Sequence, residues 1–187
     1  MNQLGSLLGA IYGISEIALS MRKRASSQES HLADRGSLRL LWIVIGCSVF
    51  VAFFVSFAVP EAAFSQLNPA RSIGILFFIL GLMLRWYAII QLGRFFTVNV
   101  AIAADHQLIE SGPYGYVRHP SYTGALMAFL GLGMCIGNWA SLAVLLLPVA
   151  CVFSWRMHVE EAALLQGLGD RYRSYMSRTK RLIPGVY

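Results

Sequence analysis

Two groups of polar residues could do chemistry in this chain, and both sit beside long apolar runs. The first lies between positions 105 and 122 and reads Asp-His-Gln-Leu-Ile-Glu-Ser-Gly-Pro-Tyr-Gly-Tyr-Val-Arg-His-Pro-Ser-Tyr. Within it, His106 leads into Gln107, Leu108 and Ile109, and Tyr114 is followed by Arg118, His119, Pro120, Ser121 and Tyr122. The second group is Arg156 and Glu160, four residues apart and so on one face of a helix. These side chains could hold a charged ligand, bind a metal or aim an anionic group. Taken singly, each has a plain reading: the histidines as interface residues, Arg118 as a contact to lipid phosphate, Arg156 and Glu160 as a pair worth a few tenths of a kcal/mol. Taken together they fit that reading poorly, because polar side chains at the mouth of an apolar bundle are costly unless paired.

The spacing narrows the chemistry. No Gly-x-Ser-x-Gly elbow and no P-loop lysine is present. Gly131-Leu132-Gly133 lies inside an apolar run, not after a strand, and is no dinucleotide fingerprint. His106 and His119 are thirteen residues apart across a proline-broken loop, which matches no standard ligand spacing, so no metal is expected. Cys47, Cys135 and Cys151 each sit in an apolar run without metal or redox spacing, and read as small buried hydrophobes.

The elements that position these groups are membrane helices. Of 187 residues, 57% are hydrophobic and 13% charged, against about 25% charged in a soluble domain. The composition predicts an all-α, polytopic membrane bundle forming a single domain over residues 1–187. Residues 1–93 would supply three spans, and 94–187 the polar loop, a helical hairpin and a C-terminal helix. A polar, proline-broken segment cannot face lipid with its backbone groups unpaired, so the loop must lie at the membrane face or line a cavity. The net charge is +6, but the basic residues flank apolar spans as in cytoplasmic loops, which sets nucleic acid aside as a partner.

Residues 4–21 form the first expected span. Its Glu16 is expected to face other helices and bond a polar neighbour. With no basic residue before this span and no small-residue cleavage site after it, it is expected to be retained. Residues 22–39 read as a polar loop. Residues 40–59 are an uncharged run of about the length that crosses a ~30 Å core. Pro60, Glu61, Asn68 and Pro69 mark a turn, and residues 72–93 form the third span. Arg85-Trp86-Tyr87 near its end suits the headgroup level, with Arg85 snorkelling.

Residues 121–155 carry no charge, and as one straight helix would measure about 52 Å. Gly137-Asn138 at the middle is a turn signal, so the stretch reads as a hairpin of 121–136 and 139–156. Gly124, Gly131 and Gly133 permit close helix contact. About five spans follow. Lys and Arg number five in the first loop and one in the second, which predicts the N-terminus outside and the C-terminus in the cytoplasm. In a bacterium the location would be the cell or inner membrane. Residues 159–176 continue as an amphipathic helix with Leu164, Leu165, Leu168, Tyr172, Tyr175 and Met176 on one face and Glu161, Asp170, Arg171, Arg173 and Ser174 mostly off it. Gly167 and Gly169 weaken this helix, and Pro184 is expected to end the ordered tail.

One pattern in the last half of the chain is specific. Gly112-Pro113-Tyr114, then Arg118-His119-Pro120-Ser121-Tyr122-Thr123-Gly124, then Glu160-Glu161, Leu168-Gly169-Asp170-Arg171-Tyr172, Tyr175, Arg181 and Pro184 resembles the isoprenylcysteine carboxyl methyltransferase family in its short, prokaryotic-type form. Arg-His-Pro alone is weak. Arg-His-Pro-x-Tyr followed by a hairpin and then Glu-Glu and Gly-x-x-Tyr is strong. The first half matches only as membrane helices.

The resemblance implies a membrane-embedded, S-adenosyl-L-methionine-dependent methyltransferase, a carboxyl O-methyltransferase first of all. Its cofactor would sit in a cytoplasm-facing pocket between the loop and the C-terminal helix. Carried over by position, His106, Gln107, Leu108, Ile109, Tyr114, His119, Pro120, Ser121, Tyr122 and Glu160 would bind the cofactor, and Arg156 would be catalytic at the acceptor's end. A further cofactor-contacting Gln of eukaryotic members has no counterpart in the apolar stretch 100–104. Glu160 would pair with the cofactor's amino group, and Leu108 and Ile109 would pack its adenine. An ionised carboxylate acceptor needs no general base, so catalysis would be mostly orientation. A lipophilic or prenylated acceptor would enter sideways from the bilayer. Two alternatives stand beside this reading: another membrane acceptor such as a lipid amine, phenol or thiol, or a non-enzymatic membrane module.

Overall fold

The computed structural model describes residues 3–24, 35–96 and 107–187. Five largely apolar runs and one polar, amphipathic segment form six α-helices: α1 (Gln3–Arg24), α2 (Arg35–Ala58), α3 (Leu67–Leu92), α4 (Pro120–Ile136), α5 (Trp139–Leu168) and the amphipathic α6 (Asp170–Arg178). Three of them, α2 from Arg39, α3 and α5, are long and apolar enough to cross a membrane, while Gln3–Leu19 and Pro120–Ile136 are shorter apolar helices. Among the described residues the only β-pairings are two isolated bridges, Ala63 with Asn138 and Val117 with Lys180.

Glycines bring α3 and α4 into backbone contact. A Cβ built on Gly81 would stand 2.5 Å from the Gly124 carbonyl oxygen, and one on Gly131 would stand 2.5 Å from the Phe78 nitrogen and closer still to the Gly74 oxygen. Gly133 faces α5, where an added Cβ would strike Leu142. Small residues at such crossings let dispersion forces hold helices together where lipid offers no hydrophobic drive. α4 is thereby the enclosed centre, packed on α1, α2, α3 and α5, with Ala125, Ala128, Phe129 and Leu132 buried.

The hairpin turn falls at Gly137-Asn138. Gly137 takes a left-handed conformation, φ 81°, which costs glycine nothing and other residues about 1 kcal/mol or more. Asn138 caps α5, its side chain accepting from Ser141 N at 3.0 Å, and donates to the Val59 carbonyl at 2.8 Å. Phe64 N donates to the Gly137 carbonyl at 2.9 Å. These bonds stitch the α2–α3 and α4–α5 turns together at one end of the bundle. The polar loop, the end of α5 and α6 meet at the other.

Several boundaries differ from expectation. α3 starts at Leu67 instead of residue 72, because a proline in the first turn, here Pro69, removes no intrahelical bond. α1 runs on to Arg24 and α2 begins at Arg35, so the ends of the expected loop 22–39 are helical; residues 25–34 lie outside the described residues. The expected single helix over 159–176 is two. α5 continues unbroken to Leu168, and α6 follows Gly169, whose φ of 56° suits glycine. Its thirty residues make α5 about 45 Å long, with Trp139 and Trp155 exposed along it.

Cys135 is buried as expected, but Cys47 and Cys151 are exposed. They share the outer surface with Phe50, Phe54, Ile90 and Leu147. A bundle solvated by lipid is apolar outside as well as inside, so an apolar run does not tell a buried position from an outward one. Arg85 does not snorkel: it is turned inward and largely enclosed, with buried Glu16 as its partner at 2.5 Å. Glu16 thus does find a polar neighbour on another helix.

Candidate active site

α4 begins at Pro120, whose fixed φ and missing N–H suit the first helical position. His119 is therefore held just outside the helix. Before it, the short 3-10 turn Gly112–Gly115 directs Tyr114 inward. The Tyr114 hydroxyl donates to the Ala88 carbonyl on α3 at 3.2 Å, and its own carbonyl accepts from the Tyr175 hydroxyl at 2.6 Å. Burial pushes the Tyr175 phenol up to about 12, so it stays a donor at neutral pH. The tail then clasps the loop. Arg118 N donates to the Lys180 carbonyl at 2.8 Å and His119 N to the Arg181 carbonyl at 3.0 Å. Thr123 Oγ1 donates to the Leu182 carbonyl at 2.9 Å. Order continues past Pro184, contrary to expectation, because the Leu182 and Ile183 amides both donate to the main-chain oxygen of Tyr187.

Two adjacent carboxylates divide the site between them. Successive helical residues point about 100° apart, so Glu160 and Glu161 serve different partners. Glu161, expected off the buried face, is instead buried, with its side chain 4% exposed. It accepts from Arg118 Nε at 2.9 Å and Arg181 Nη2 at 2.7 Å, and lies 3.2 Å from His119 Nε2. Arg118 also donates to the Met176 and Thr179 carbonyls, so it is an internal tie, not the lipid contact of the plain reading. Three nitrogen-bearing side chains around one acid leave Glu161 fully engaged.

Glu160 is the open one, 26% exposed. The Tyr122 hydroxyl donates to its Oε1 at 2.5 Å, Arg156 Nε reaches the same oxygen at 3.4 Å, and His119 Nδ1 lies 3.7 Å from Oε2. Arg156 itself is 1% exposed. Tyr122 is fixed by ring contact with Phe153 at 4.9 Å. The result is a half-open carboxylate backed by a buried cation, a phenol and an imidazole. Such a set can take the cationic end of a ligand on its open side.

Of the residues singled out by sequence, His119, Tyr122, Arg156 and Glu160 come together here. Pro120 and Ser121 are buried in the first turn of α4, and the Ser121 carbonyl accepts from Arg85 Nη1 at 3.2 Å. Tyr114 anchors the loop to α3 and α6. Gln107 is exposed, and Leu108 and Ile109 are half-buried. His106 and the stretch 100–104 lie outside the described residues. Among the described residues no cluster of His, Cys, Asp and Glu could hold a metal. Arg118 stood in the candidate loop without a role of its own, and Glu161, Arg181 and Arg85 had no expected part in the site. The Glu160-Glu161 doublet was the available signal for Glu161: two neighbouring acids beside an apolar bundle demand two sets of cationic partners.

A family profile for isoprenylcysteine carboxyl methyltransferase (ICMT) matches residues 73–166, the interval that holds the loop, the hairpin and both carboxylates. The chain belongs to this family. Among similar proteins, the protein-S-isoprenylcysteine O-methyltransferase of Schizosaccharomyces pombe is 36% identical over 143 residues, 75% of this chain and 57% of that protein. Protein-S-isoprenylcysteine O-methyltransferase B of Arabidopsis thaliana is 36% identical over 115 residues, 60% of this chain and 58% of that one. The ICMT-family chain thus spans a little over half the length of these curated relatives. The solved structure of the eukaryotic intramembrane Ras methyltransferase ICMT matches with a TM-score of 0.70 at 26% identity, over 96% of this chain and 64% of that one. The likeness covers nearly the whole bundle, so the all-α membrane fold expected from the sequence holds beyond the interval that the family profile covers.

Proposed function

We propose that this ICMT-family chain is a membrane methyltransferase that uses S-adenosylmethionine to methylate the carboxylate of a lipophilic acceptor, an isoprenylcysteine or similar thioether acid first of all. The observation that carries the reading is Glu160, left half-open at 26% exposure between Tyr122, Arg156 and His119. The donor set fits the cofactor: a carboxylate for an ammonium group, half-buried Leu108 and Ile109 for a flat ring, and exposed Gln107 for polar edges. His106, Tyr114, His119, Pro120, Ser121 and Tyr122 would complete the binding residues. When bound, S-adenosylmethionine supplies an electrophilic methyl group. Glu160 would hold the cofactor's amino end, with Tyr122 and His119 fixing the carboxylate's direction. Arg156 would bind and aim the acceptor carboxylate by charge-assisted hydrogen bonds. An ionised carboxylate is nucleophilic already, so the chain's contribution is orientation in a water-poor site. The names of the relatives in yeast and plant support the acceptor class.

The reading also places five spans in the membrane, the N-terminus outside, the site at the cytoplasmic face and the acceptor entering from the bilayer. Reagent accessibility of single cysteines at Ser65 and Ser111, in a chain with Cys47, Cys135 and Cys151 replaced, tests the sidedness: the two should be labelled from opposite faces. The main experiment incubates purified protein with labelled S-adenosylmethionine and a panel of prenylated acids, lipid amines, phenols and thiols. A base-labile methyl ester on a prenylated acid is the expected product. Absence of S-adenosylmethionine binding by calorimetry in folded protein would overturn the reading.

A further inference from the structure

Arg85 reaches two other helices at once. Its Nε donates to Glu16 Oε1 at 2.5 Å and its Nη2 to Glu16 Oε2 at 2.7 Å, a two-pronged bond from α3 to α1. The remaining prong, Nη1, donates to the Ser121 carbonyl in the first turn of α4 at 3.2 Å. Both side chains are enclosed, 13% and 5% exposed. For holding α1 against α3 alone this is a poor device, because well-packed hydrophobic residues of similar volume do that as well or better than a buried ion pair. What the guanidinium adds is its third bond. A carbonyl has two lone pairs, so Ser121 can receive Arg85 as well as its own helical partner. Ser121 lies between His119 and Tyr122, the two residues that reach Glu160 from α4. The α3 backbone also abuts this turn: a Cβ on Gly124 would stand 2.6 Å from Arg85 N. A second line of contact runs parallel. Tyr12 of α1 packs its ring at a tilt against Phe129 at 4.7 Å, Phe129 meets Phe153 at 6.4 Å, and Phe153 packs on Tyr122 at 4.9 Å.

We propose that Glu16 and Arg85 are a positioning pair: Glu16 orients the guanidinium, and Arg85, through the Ser121 carbonyl, fixes the first turn of α4 and so sets His119 and Tyr122 against Glu160. By this device α1, which lies outside the interval matched by the family profile, takes part in shaping the site. The inference deepens the proposed function, yet its first readout does not depend on it.

The test uses the full chain in detergent or nanodiscs. Lysine at position 85 keeps a point charge for Glu16 but lacks the planar fork needed to reach Ser121 as well. For Arg85→Lys the melting temperature should stay within a few degrees of the parent. The Tyr122 and Thr123 amides, both bonded to the His119 carbonyl, should exchange hydrogen about tenfold faster, as the loss of one charge-assisted bond implies. S-Adenosylmethionine affinity should fall by about the same factor. The exchanged pair, Glu16→Arg with Arg85→Glu, should also keep the parent's melting temperature but lose the amide protection, because a carboxylate at position 85 repels the Ser121 carbonyl. Unchanged protection in Arg85→Lys would overturn the inference, as would an exchanged pair that keeps both properties. Where the exchanged pair does not fold, Arg85→Lys alone decides. A parent chain that binds no S-adenosylmethionine overturns the proposed function, and the amide readout still decides the coupling.

Discussion

His119 Nδ1 and Glu160 Oε2 stand 3.7 Å apart, although one residue precedes α4 and the other lies near the end of α5. The hairpin at Gly137 makes this meeting happen. α4 carries the chain away from the polar loop, and α5 brings it back past the starting point, so side chains on opposite limbs come within reach of one another.

Glu160 should behave as a ligand-binding group and not as a structural one. Its half-open carboxylate makes few contacts the fold depends on, so Glu160→Gln should leave the melting temperature within a few degrees. S-Adenosylmethionine affinity should drop by about ten- to a hundredfold, the range for a lost hydrogen bond to a charged group. Calorimetry and thermal denaturation on the same sample check this. An equal loss of both would make Glu160 structural.

Arg156 should separate turnover from cofactor binding. Arg156→Ala should reduce methyl transfer by about a hundredfold or more, the loss of a charged hydrogen bond to the acceptor and of its orientation. S-Adenosylmethionine affinity should change by a few-fold at most. Steady-state kinetics beside equilibrium binding makes the comparison, and unchanged turnover would remove Arg156 from the acceptor's end.

Glu161 should show the reverse pattern. Glu161→Ala would leave Arg118 and Arg181 buried or half-buried without their shared acid, a defect worth about 3–5 kcal/mol. Glu161→Gln retains part of the bonding and should cost less. Denaturation in detergent reads the effect, and the alanine variant should release the tail that Arg118 and His119 hold through their backbone amides.

At the α3–α4 crossing, Gly131→Val should destabilise the bundle by about 1–3 kcal/mol, the cost of overpacking a close contact. The same substitution at Gly9, where an added Cβ meets nothing within 4 Å, is the control and should change stability little.

The sequence revealed those features whose cause is local. Gly137-Asn138 was legible because a left-handed residue and a capping side chain act within a few residues of themselves. The hairpin limbs were legible from length, and Gly124, Gly131 and Gly133 from size. Pairings across the bundle were not. Glu16 and Arg85 each stood out as charges in apolar runs, but 69 residues separate them, and no periodicity links such positions. Glu161 was misplaced because hydrophobic patterning assigns acids to the outer face, whereas this acid is drawn inward by Arg118 and Arg181 from two other segments. The break at Gly169 was half visible: both Gly167 and Gly169 weaken a helix, but which of them takes a positive φ depends on where α6 can lay Tyr172 and Tyr175.

The two exposed indoles on α5, Trp139 and Trp155, are sixteen positions apart, or about 24 Å along the axis. Indoles gather where acyl chains give way to headgroups, so on the proposed topology the pair would mark the depth of the bundle in the bilayer. Arg156 comes directly after the upper mark. If the proposed function holds, an acceptor moored in one leaflet by its own greasy tail would meet Arg156 at the level where its polar end already floats, with no need to be drawn out into water.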